Sequence, residues 1–326
     1  MARQAVSIRT VRSPVRDLAD SSAQRHSPLA RWAADLQRNG MDDPSDPVST
    51  PTGSAVESLF VRHRNCLLAR ADLSAVFATW EEHMAHHYDE RPPEAMERLR
   101  SSLAAFVLHC ASRPRNEHIG WTINFQTPLL NLFLVGDTGE STVAGRFFIE
   151  NVKQATDQSF YQDLVPGNRD PIRSHIHFTG SDPLLAVEQF YERSEQRPAR
   201  FFQLGETEFA ILSAHPDWDH TWFYETTLDD IRRLDELQEL SPLEQRRYRW
   251  GCGCSTEKLM RVIEPLIRPD IDKLFEGDEA ITANCPRCGA RYTLTREAAE
   301  AYLAAQAQKG GAADAEDADA PPPAEH

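Results

Sequence analysis

The sequence lacks any apolar run long enough to cross a bilayer. Its longest largely apolar stretch, residues 129–135, is much shorter than the about 20 residues that a membrane-spanning helix needs. It also lacks a secretory segment and an internal repeat. Six cysteines in an acidic chain without such a segment indicate a reducing compartment, so we expect a cytoplasmic protein that spans no membrane.

Basic residues are outnumbered by acidic ones. The 326 residues include 35 lysines and arginines against 50 aspartates and glutamates, which gives a net charge of −15 and a pI near 5.3. General binding to nucleic-acid phosphates needs a basic surface, so we expect no nucleic-acid partner. The sequence also lacks a glycine-rich phosphate loop and a nucleophile elbow, and we do not expect an enzyme.

Four of the six cysteines lie in two close pairs near the carboxyl end. The sequence is Cys-Gly-Cys at 252–254 and, after thirty intervening residues, Cys-Pro-Arg-Cys at 285–288. Each pair can bind one side of a metal ion, and together they supply the four thiolates of a closed structural zinc site. Two disulfides or four buried core thiols are the alternatives. We predict one Zn²⁺ per chain, with the ligands Cys252, Cys254, Cys285 and Cys288.

The region around these pairs, residues 251–308, is short for an independent domain. A unit of this size buries little apolar surface, so we expect its folding to depend on the metal. An oxidant that reaches zinc-bound thiolates can release the metal, which makes the site a candidate redox switch. The other two cysteines, Cys66 and Cys110, are expected to be core thiols.

The pattern of apolar residues predicts an α+β fold. Residues 57–225 mix helices with antiparallel-type strands and include helices at 94–111 and 183–195, the second capped by Ser181-Asp182-Pro183. The remaining predicted parts are a disordered extension at 1–56, a helical linker at 226–250, a small zinc-binding domain at 251–308, and a disordered acidic tail at 309–326.

Two short helices are predicted in the linker. The first has a narrow apolar stripe, and a second is expected to begin at 241–244, where Ser-Pro-Leu-Glu has the spacing of a capping box and a proline in the first turn. Helices with so few apolar residues are near the limit of stability, so the linker can fold conditionally. A final helix at 296–308 is expected to end at Gly310-Gly311. The stripe residues are Leu228, Ile231, Leu234 and Leu237.

Two methionines are candidate initiators of the chain. Four arginines and no acidic residue occur within residues 1–16, a composition that resembles a transit peptide in that respect only. Met41 is an alternative initiator to Met1.

Several motifs resemble those of the 33-kDa heat-shock chaperonin family. The similarity covers residues from about 57 to 303. Weaker matches are Val61-Arg62 and Gly145-Arg146. The main motifs are the first cysteine pair with Ser255 and Glu257-Lys258, the second pair with Gly289 and Tyr292, and Tyr-Glu-Arg-Ser-Glu-Gln-Arg-Pro at 191–198.

This family consists of redox-regulated, ATP-independent holdase chaperones. The resemblance implies a zinc centre that keeps the chaperone dormant until peroxide or hypochlorous acid oxidises it to the disulfides Cys252–Cys254 and Cys285–Cys288. It further implies that zinc then leaves, the linker unfolds, and a homodimer binds unfolded or oxidatively damaged client proteins. Candidate client-binding surfaces are the linker stripe and the region around Phe147, Phe148 and Phe201.

The chain departs from the family pattern at three places. His63 stands where glycine usually follows the Val-Arg pair, and residues 173–178 replace a glycine-containing strand motif. The linker is also shorter, without the acidic stretch that normally precedes the first cysteine. These differences bear on whether the linker still unfolds on oxidation.

Two groups of histidines are also weighed as metal sites. His83 and His87 would share a helix face beside His86, but Met84 stands where a metalloprotease has glutamate. The pair His175 and His177, with residues 215–220, has the residue types of a hydrolase metal cluster. A surface position is the simpler interpretation of both groups. A hydrolase and a zinc-ribbon protein, nucleic-acid-binding or regulatory, are the alternatives to the chaperone.

Overall fold

The structure, a computed structural model, describes residues 8–10, 53–167 and 169–317. Its contacts divide the described chain into a larger unit, up to Cys252, and a smaller unit that contains residues 8–10 and 253–317. Most of the extension for which we predicted disorder, and the choice between Met1 and Met41, lie outside the described residues. No helix in the described part of the chain has both the length and the apolar character that crossing a membrane requires.

A ten-stranded sheet runs through the larger unit. Its order is β8-β7-β4-β5-β6-β11-β2-β3-β10-β9, and neighbours are antiparallel except for β11 and β6. Together with the helices it confirms the predicted α+β class. The strands are β2 Ser54–Val61, β3 Cys66–Asp72, β4 Glu117–Gln126, β5 Leu129–Asp137, β6 Thr142–Phe148, β7 Gln158–Pro166, β8 Ile172–Phe178, β9 Ala199–Gln203, β10 Glu208–Ala214 and β11 Leu240–Trp250.

The helix α2 lies in the core of the larger unit. Every residue from Ser102 to Ala111 is buried, and the helix packs against β2, β3, β5, β6 and β10. Burial on all sides of the helix is possible because the sequence Leu-Ala-Ala-Phe-Val-Leu at 103–108 contains no polar side chain. The helices of this unit are α1 Ser74–His87, α2 Pro93–Ala111, α3 Pro183–Arg193, α4 His220–Glu225, α5 Leu228–Arg232 and α6 Leu234–Leu237.

The helix α3 begins where the sequence predicts. The Asp182 side chain accepts a hydrogen bond from the Leu184 amide, with Pro183 in the first turn. The helix packs against both edge strands of the sheet, β8 and β9. Its Glu188 accepts from the Phe201 amide at 2.7 Å. One backbone amide of the edge strand β9 is thus satisfied by this helix.

The linker is only partly helical. Both α5 and α6 form, and their Ile231 and Leu234 are buried. The prediction that a second helix begins at 241–244 is wrong. That segment begins β11, which pairs with β2 and has an irregularity between Pro242 and Glu244. Burial alternates along the second half of the strand, because every second side chain faces the core. Pairing with β2 overrides the local capping signal.

The described part of the smaller unit combines a three-stranded sheet, in the order β1-β12-β13, with three helices. The first strand, β1 Ile8–Thr10, pairs with β12, so the expected disorder is wrong for these three residues. The last helix continues to Asp317, past the expected end at residue 308. The other elements are β12 Ala280–Asn284, β13 Arg291–Thr295, α7 Thr256–Ile267, α8 Ile271–Phe275 and α9 Arg296–Asp317.

The core of the smaller unit is limited. Among the described residues, eight side chains form its buried cluster, and two of them are alanine. A core of this size contributes little stability relative to the entropy of ordering the chain. The buried residues are Met260, Ile263, Ile267, Phe275, Ile281, Ala283, Leu294 and Ala299.

Candidate metal centre

The first cysteine pair lies between the end of β11 and the start of α7. Gly253, between the two cysteines, has φ +60°, a left-handed conformation that glycine adopts without strain. Ser255 then caps α7 by accepting from the Lys258 amide at 3.2 Å. The Lys258 ammonium donates to the Gly253 carbonyl at 2.6 Å, which fixes the loop. The backbone thus turns sharply at this pair.

The second pair forms the loop of the β12–β13 hairpin. The Cys285 amide donates to the Ala290 carbonyl at 2.8 Å, and the Gly289 amide donates to the Cys285 carbonyl at 2.9 Å. Gly289 has φ +75°, again left-handed. These bonds close a tight turn that holds Cys285 and Cys288 at one end of the hairpin.

The structure brings the four predicted cysteines together. Their sulfur atoms all lie within 4.8 Å of one another, and the sulfurs of Cys254 and Cys288 are 3.6 Å apart. A tetrahedral ion with metal–sulfur bonds of about 2.3 Å places its sulfurs about 3.8 Å apart. Cys285 and Cys288 are buried, whereas Cys252 and Cys254 are half-buried. The set can therefore hold a metal ion, and the first pair is the more exposed.

Tyr292 on β13 contacts the first pair. Its hydroxyl oxygen lies 3.2 Å from the Cys254 sulfur and 3.1 Å from the Cys254 carbonyl oxygen. Burial raises the pKa of Tyr292, and its hydrogen bond with Cys254 does so further. In the sequence Tyr292 stands out only as part of the motif that follows the second cysteine pair, and no contact with a cysteine is predicted for it. The two residues are far apart in the chain, so no local pattern shows this contact.

The remaining cysteines are core thiols, as predicted. Cys66 and Cys110 are both fully buried in the larger unit. Burial raises the pKa of Cys66 to about 12, and it also raises the pKa of Cys110. Both thiols therefore remain protonated and react slowly with oxidants.

The histidine groups do not form a comparable site. The rings of His83 and His87 lie 4.7 Å apart on α1, and those of His175 and His177 lie 4.7 Å apart on β8. His215 instead contacts Phe60. Among the residues that the structure describes, only the four cysteines gather three or more metal-type ligands.

Comparisons with known proteins agree with this geometry. A family model described as "Hsp33 protein" matches residues 206–295, which include all four cysteines. A curated "33 kDa chaperonin" from Caldanaerobacter subterraneus subsp. tengcongensis is 32% identical over 78 residues, or 24% of this chain and 26% of the relative. The chain thus aligns with about a quarter of the length of that relative.

A solved structure shares the fold. It is the 33 kDa chaperonin (heat shock protein 33 homolog) of Thermotoga maritima, with a TM-score of 0.61 and 14% sequence identity, over 79% of this chain and 99% of that one. The fold and the site define an α+β protein with a four-cysteine site able to hold a metal. The family model and the curated relative are similar to this chain in the region of the four cysteines, and the solved structure shares its fold, in agreement with the resemblance to the 33 kDa chaperonin family that the sequence indicates.

Proposed function

We propose that the protein is a redox-regulated, ATP-independent holdase chaperone that binds unfolding proteins after its four-cysteine centre is oxidised. The observation that carries the proposal is the gathering of four sulfurs within 4.8 Å in a region matched by the family model. The protein acts on its clients by binding and not by catalysis. Its compartment is the reducing cytoplasm, and neither nucleic acid nor membrane is a partner.

The cofactor of the resting state is one Zn²⁺ held by Cys252, Cys254, Cys285 and Cys288. Bound zinc keeps the four sulfurs ionised and adds its binding free energy to the folding of the smaller unit. The first pair precedes the capped helix α7, and the second forms the turn of a hairpin. The ligands therefore join the two parts of a unit whose core is small.

Oxidation removes the ligands. A thiolate attacks a peroxide oxygen and becomes a sulfenic acid, while the other peroxide oxygen leaves as hydroxide and is protonated to water. A neighbouring thiol then displaces the sulfenic hydroxyl as water, which leaves a disulfide. One peroxide is consumed for each disulfide. The half-buried pair Cys252 and Cys254 is reached first, and the final pairs are Cys252–Cys254 and Cys285–Cys288.

The linker is the part of the chain that unfolds after the four-cysteine centre is oxidised. In the larger unit β11 joins two parts of the sheet, and its parallel pairing with β6 is limited to Arg249 and Trp250. The Arg249 amide donates to the Ser141 carbonyl at 3.1 Å, and the Gly251 amide donates to Val143 at 2.9 Å. This is the shortest pairing between neighbouring strands of the sheet. When the metal no longer holds Cys252, the chain directly after β11 is no longer fixed. The short pairing of β11 with β6 is then less stable.

The helices α5 and α6 cover apolar surface that clients can use. Ile231 and Leu234 pack into a buried cluster of the larger unit. One of their polar attachments is a bidentate ion pair between Arg70 and Asp235, with N–O distances of 2.6 and 3.0 Å. Release of the linker exposes the stripe, which then binds unfolding proteins and supports a homodimer. Extended apolar surface of this kind is typical of protein-binding sites.

The test begins with reduced, zinc-loaded protein. Peroxide with mild heat should release one zinc per chain and produce suppression of the aggregation of an unfolding client. Amide exchange at Arg249 and Gly251 should increase at the same time. A Cys66→Ala variant, which leaves the four ligands unchanged, should behave like the parent. Four cysteines per zinc without any suppression after oxidation would reject the chaperone and favour the zinc-ribbon alternative.

A further inference from the structure

We propose that Tyr292 is a positioning residue for Cys254 whose hydroxyl donates a hydrogen bond to the Cys254 sulfur and slows its reaction with oxidants. The inference rests on the proposed function and adds one element to it. Tyr292 sets the oxidant threshold of the switch.

The position of the Tyr292 hydroxyl is well defined. The residue lies on β13 opposite Ala283 of β12, and its ring packs against the core cluster of the smaller unit. A ring held in this way brings its hydroxyl oxygen to 3.2 Å from the Cys254 sulfur. The contact therefore belongs to the fold of the hairpin and does not depend on a mobile side chain.

The hydroxyl has two acceptors within reach but only one proton. These are the Cys254 sulfur at 3.2 Å and the Cys254 carbonyl oxygen at 3.1 Å. A sulfur ionised by metal binding carries more negative charge than a carbonyl oxygen, so it attracts the proton more strongly. In the metal-loaded protein the hydrogen bond is directed to sulfur.

A hydrogen bond to a thiolate reduces its nucleophilicity. It withdraws electron density from the lone pair that must attack the oxidant, and it must be stretched as the sulfur gives up its charge. Cys254 belongs to the more exposed pair, whereas Cys285 and Cys288 are buried. The bond therefore protects one of the two sulfurs that an oxidant can reach in the folded protein. Outer partners of metal ligands also strengthen metal binding.

The decisive variant is Tyr292→Phe in the full chain, because it removes the hydroxyl and keeps the ring. Tyr302→Phe is the matched control. Tyr302 also packs against the core of the smaller unit, and its hydroxyl donates to Glu264 at 2.9 Å, not to a cysteine. Both variants lose one hydroxyl from the same unit, so they differ in the contact with Cys254.

Two readouts separate an effect of the hydroxyl on the Cys254 sulfur from an effect on the backbone of the loop. With Co²⁺ in the centre, the sulfur-to-metal charge-transfer band reports the electron density on sulfur, and it should shift in Tyr292→Phe but not in Tyr302→Phe. With Zn²⁺, release at a fixed peroxide concentration should be about tenfold faster in Tyr292→Phe only. The ligand-field bands of Co²⁺ show whether the tetrahedral centre has assembled.

The other outcomes overturn the proposal. Faster release with an unmoved charge-transfer band would mean that the hydroxyl acts through the Cys254 carbonyl and not through the sulfur. An unchanged rate of zinc release and an unchanged charge-transfer band in an assembled centre would reject the role of Tyr292 and leave the proposed function intact. If the parent protein gives no cobalt–thiolate band, the metal centre is absent and both proposals fail.

Discussion

The hydroxyl of Tyr191 lies 2.7 Å from Nδ1 of His109, and both side chains are fully buried in the larger unit. The residues are 82 positions apart, on α3 and α2. Burial lowers the pKa of His109 well below its usual range, and the positive charges of Arg113 and Arg197 lower it further. The imidazole is therefore neutral in the folded protein, although an exposed histidine would titrate near pH 6.5.

This pair predicts a pH dependence of folding. Below pH about 6.5 the unfolded chain binds a proton at His109 that the folded chain does not, so the folded state loses stability as the pH falls. The contribution of this residue approaches about 1.4 kcal/mol per pH unit and vanishes above its unfolded pKa. Denaturant unfolding between pH 5 and 8 measures it.

The matched variant for this prediction is His109→Gln, which keeps a hydrogen-bonding group near Tyr191 but cannot titrate. Its free energy of unfolding should change less steeply with pH than that of the parent. Equal slopes in the two proteins below pH 6.5 would show that His109 is protonated in the folded state.

Metal removal should unfold the smaller unit while the core of the larger unit stays folded. Structural zinc contributes on the order of 10 kcal/mol to the folding of small domains, which is more than the eight-residue core of this unit can replace. With a strong chelator, amide protection should be lost in α7, β12 and β13 but kept in α2. Amide exchange with mass spectrometry measures both regions in one experiment. Retained protection in β12 and β13 would show that the unit folds without metal.

Local signals in the sequence predict much of the site. The ligands of each cysteine pair are separated by one or two residues, so the pairing is visible without knowledge of the fold. Asp182 and Pro183 likewise mark the start of α3 within a single turn. Such signals work because the interacting groups are close in the chain.

Contacts between residues that lie far apart in the chain are not predicted from the sequence. The 241–244 segment has the residues of a helix cap, but pairing with β2 makes it a strand. The strand β7, which lies between β8 and β4, was missed altogether. Tyr292 reaches Cys254 across 38 residues and His109 reaches Tyr191 across 82, and no local pattern records either contact. Tertiary packing determines each of these features.

The turn between β2 and β3 predicts a stabilising substitution. His63 has φ +62°, a left-handed conformation that costs a residue with a Cβ about 1–2 kcal/mol. Glycine removes that strain but gains backbone entropy in the unfolded chain, so His63→Gly should stabilise the protein by up to about 1 kcal/mol. The exposed contact of His63 with Glu239, at 3.6 Å, contributes little.

The control for this turn is His63→Val, whose branched side chain is least suited to a positive φ. It should lower the midpoint of denaturant unfolding, whereas His63→Gly should raise it. The reverse order of the two midpoints would mean that the backbone at residue 63 is not left-handed.

The disulfides formed on oxidation should report whether the smaller unit unfolds before the second bond forms. In the folded unit the sulfurs of Cys254 and Cys288 are 3.6 Å apart, so oxidation within it favours that pair. Once metal leaves and the unit unfolds, shorter loops close more readily, which favours Cys252–Cys254 and Cys285–Cys288. We expect the near-neighbour pairs.

Trypsin distinguishes these outcomes, because it cleaves after Arg287, between the two cysteines of the second pair. Near-neighbour pairing should give peptide 250–258 with an internal disulfide, and peptide 274–287 linked to peptide 288–291. Pairing of Cys254 with Cys288 would instead link 250–258 to 288–291. A variant with Cys66→Ala and Cys110→Ala removes the two core thiols and serves as the control against exchange. A dominant 250–258 to 288–291 link in that variant would show that oxidation is completed in the folded unit, and would contradict release of the linker by metal loss.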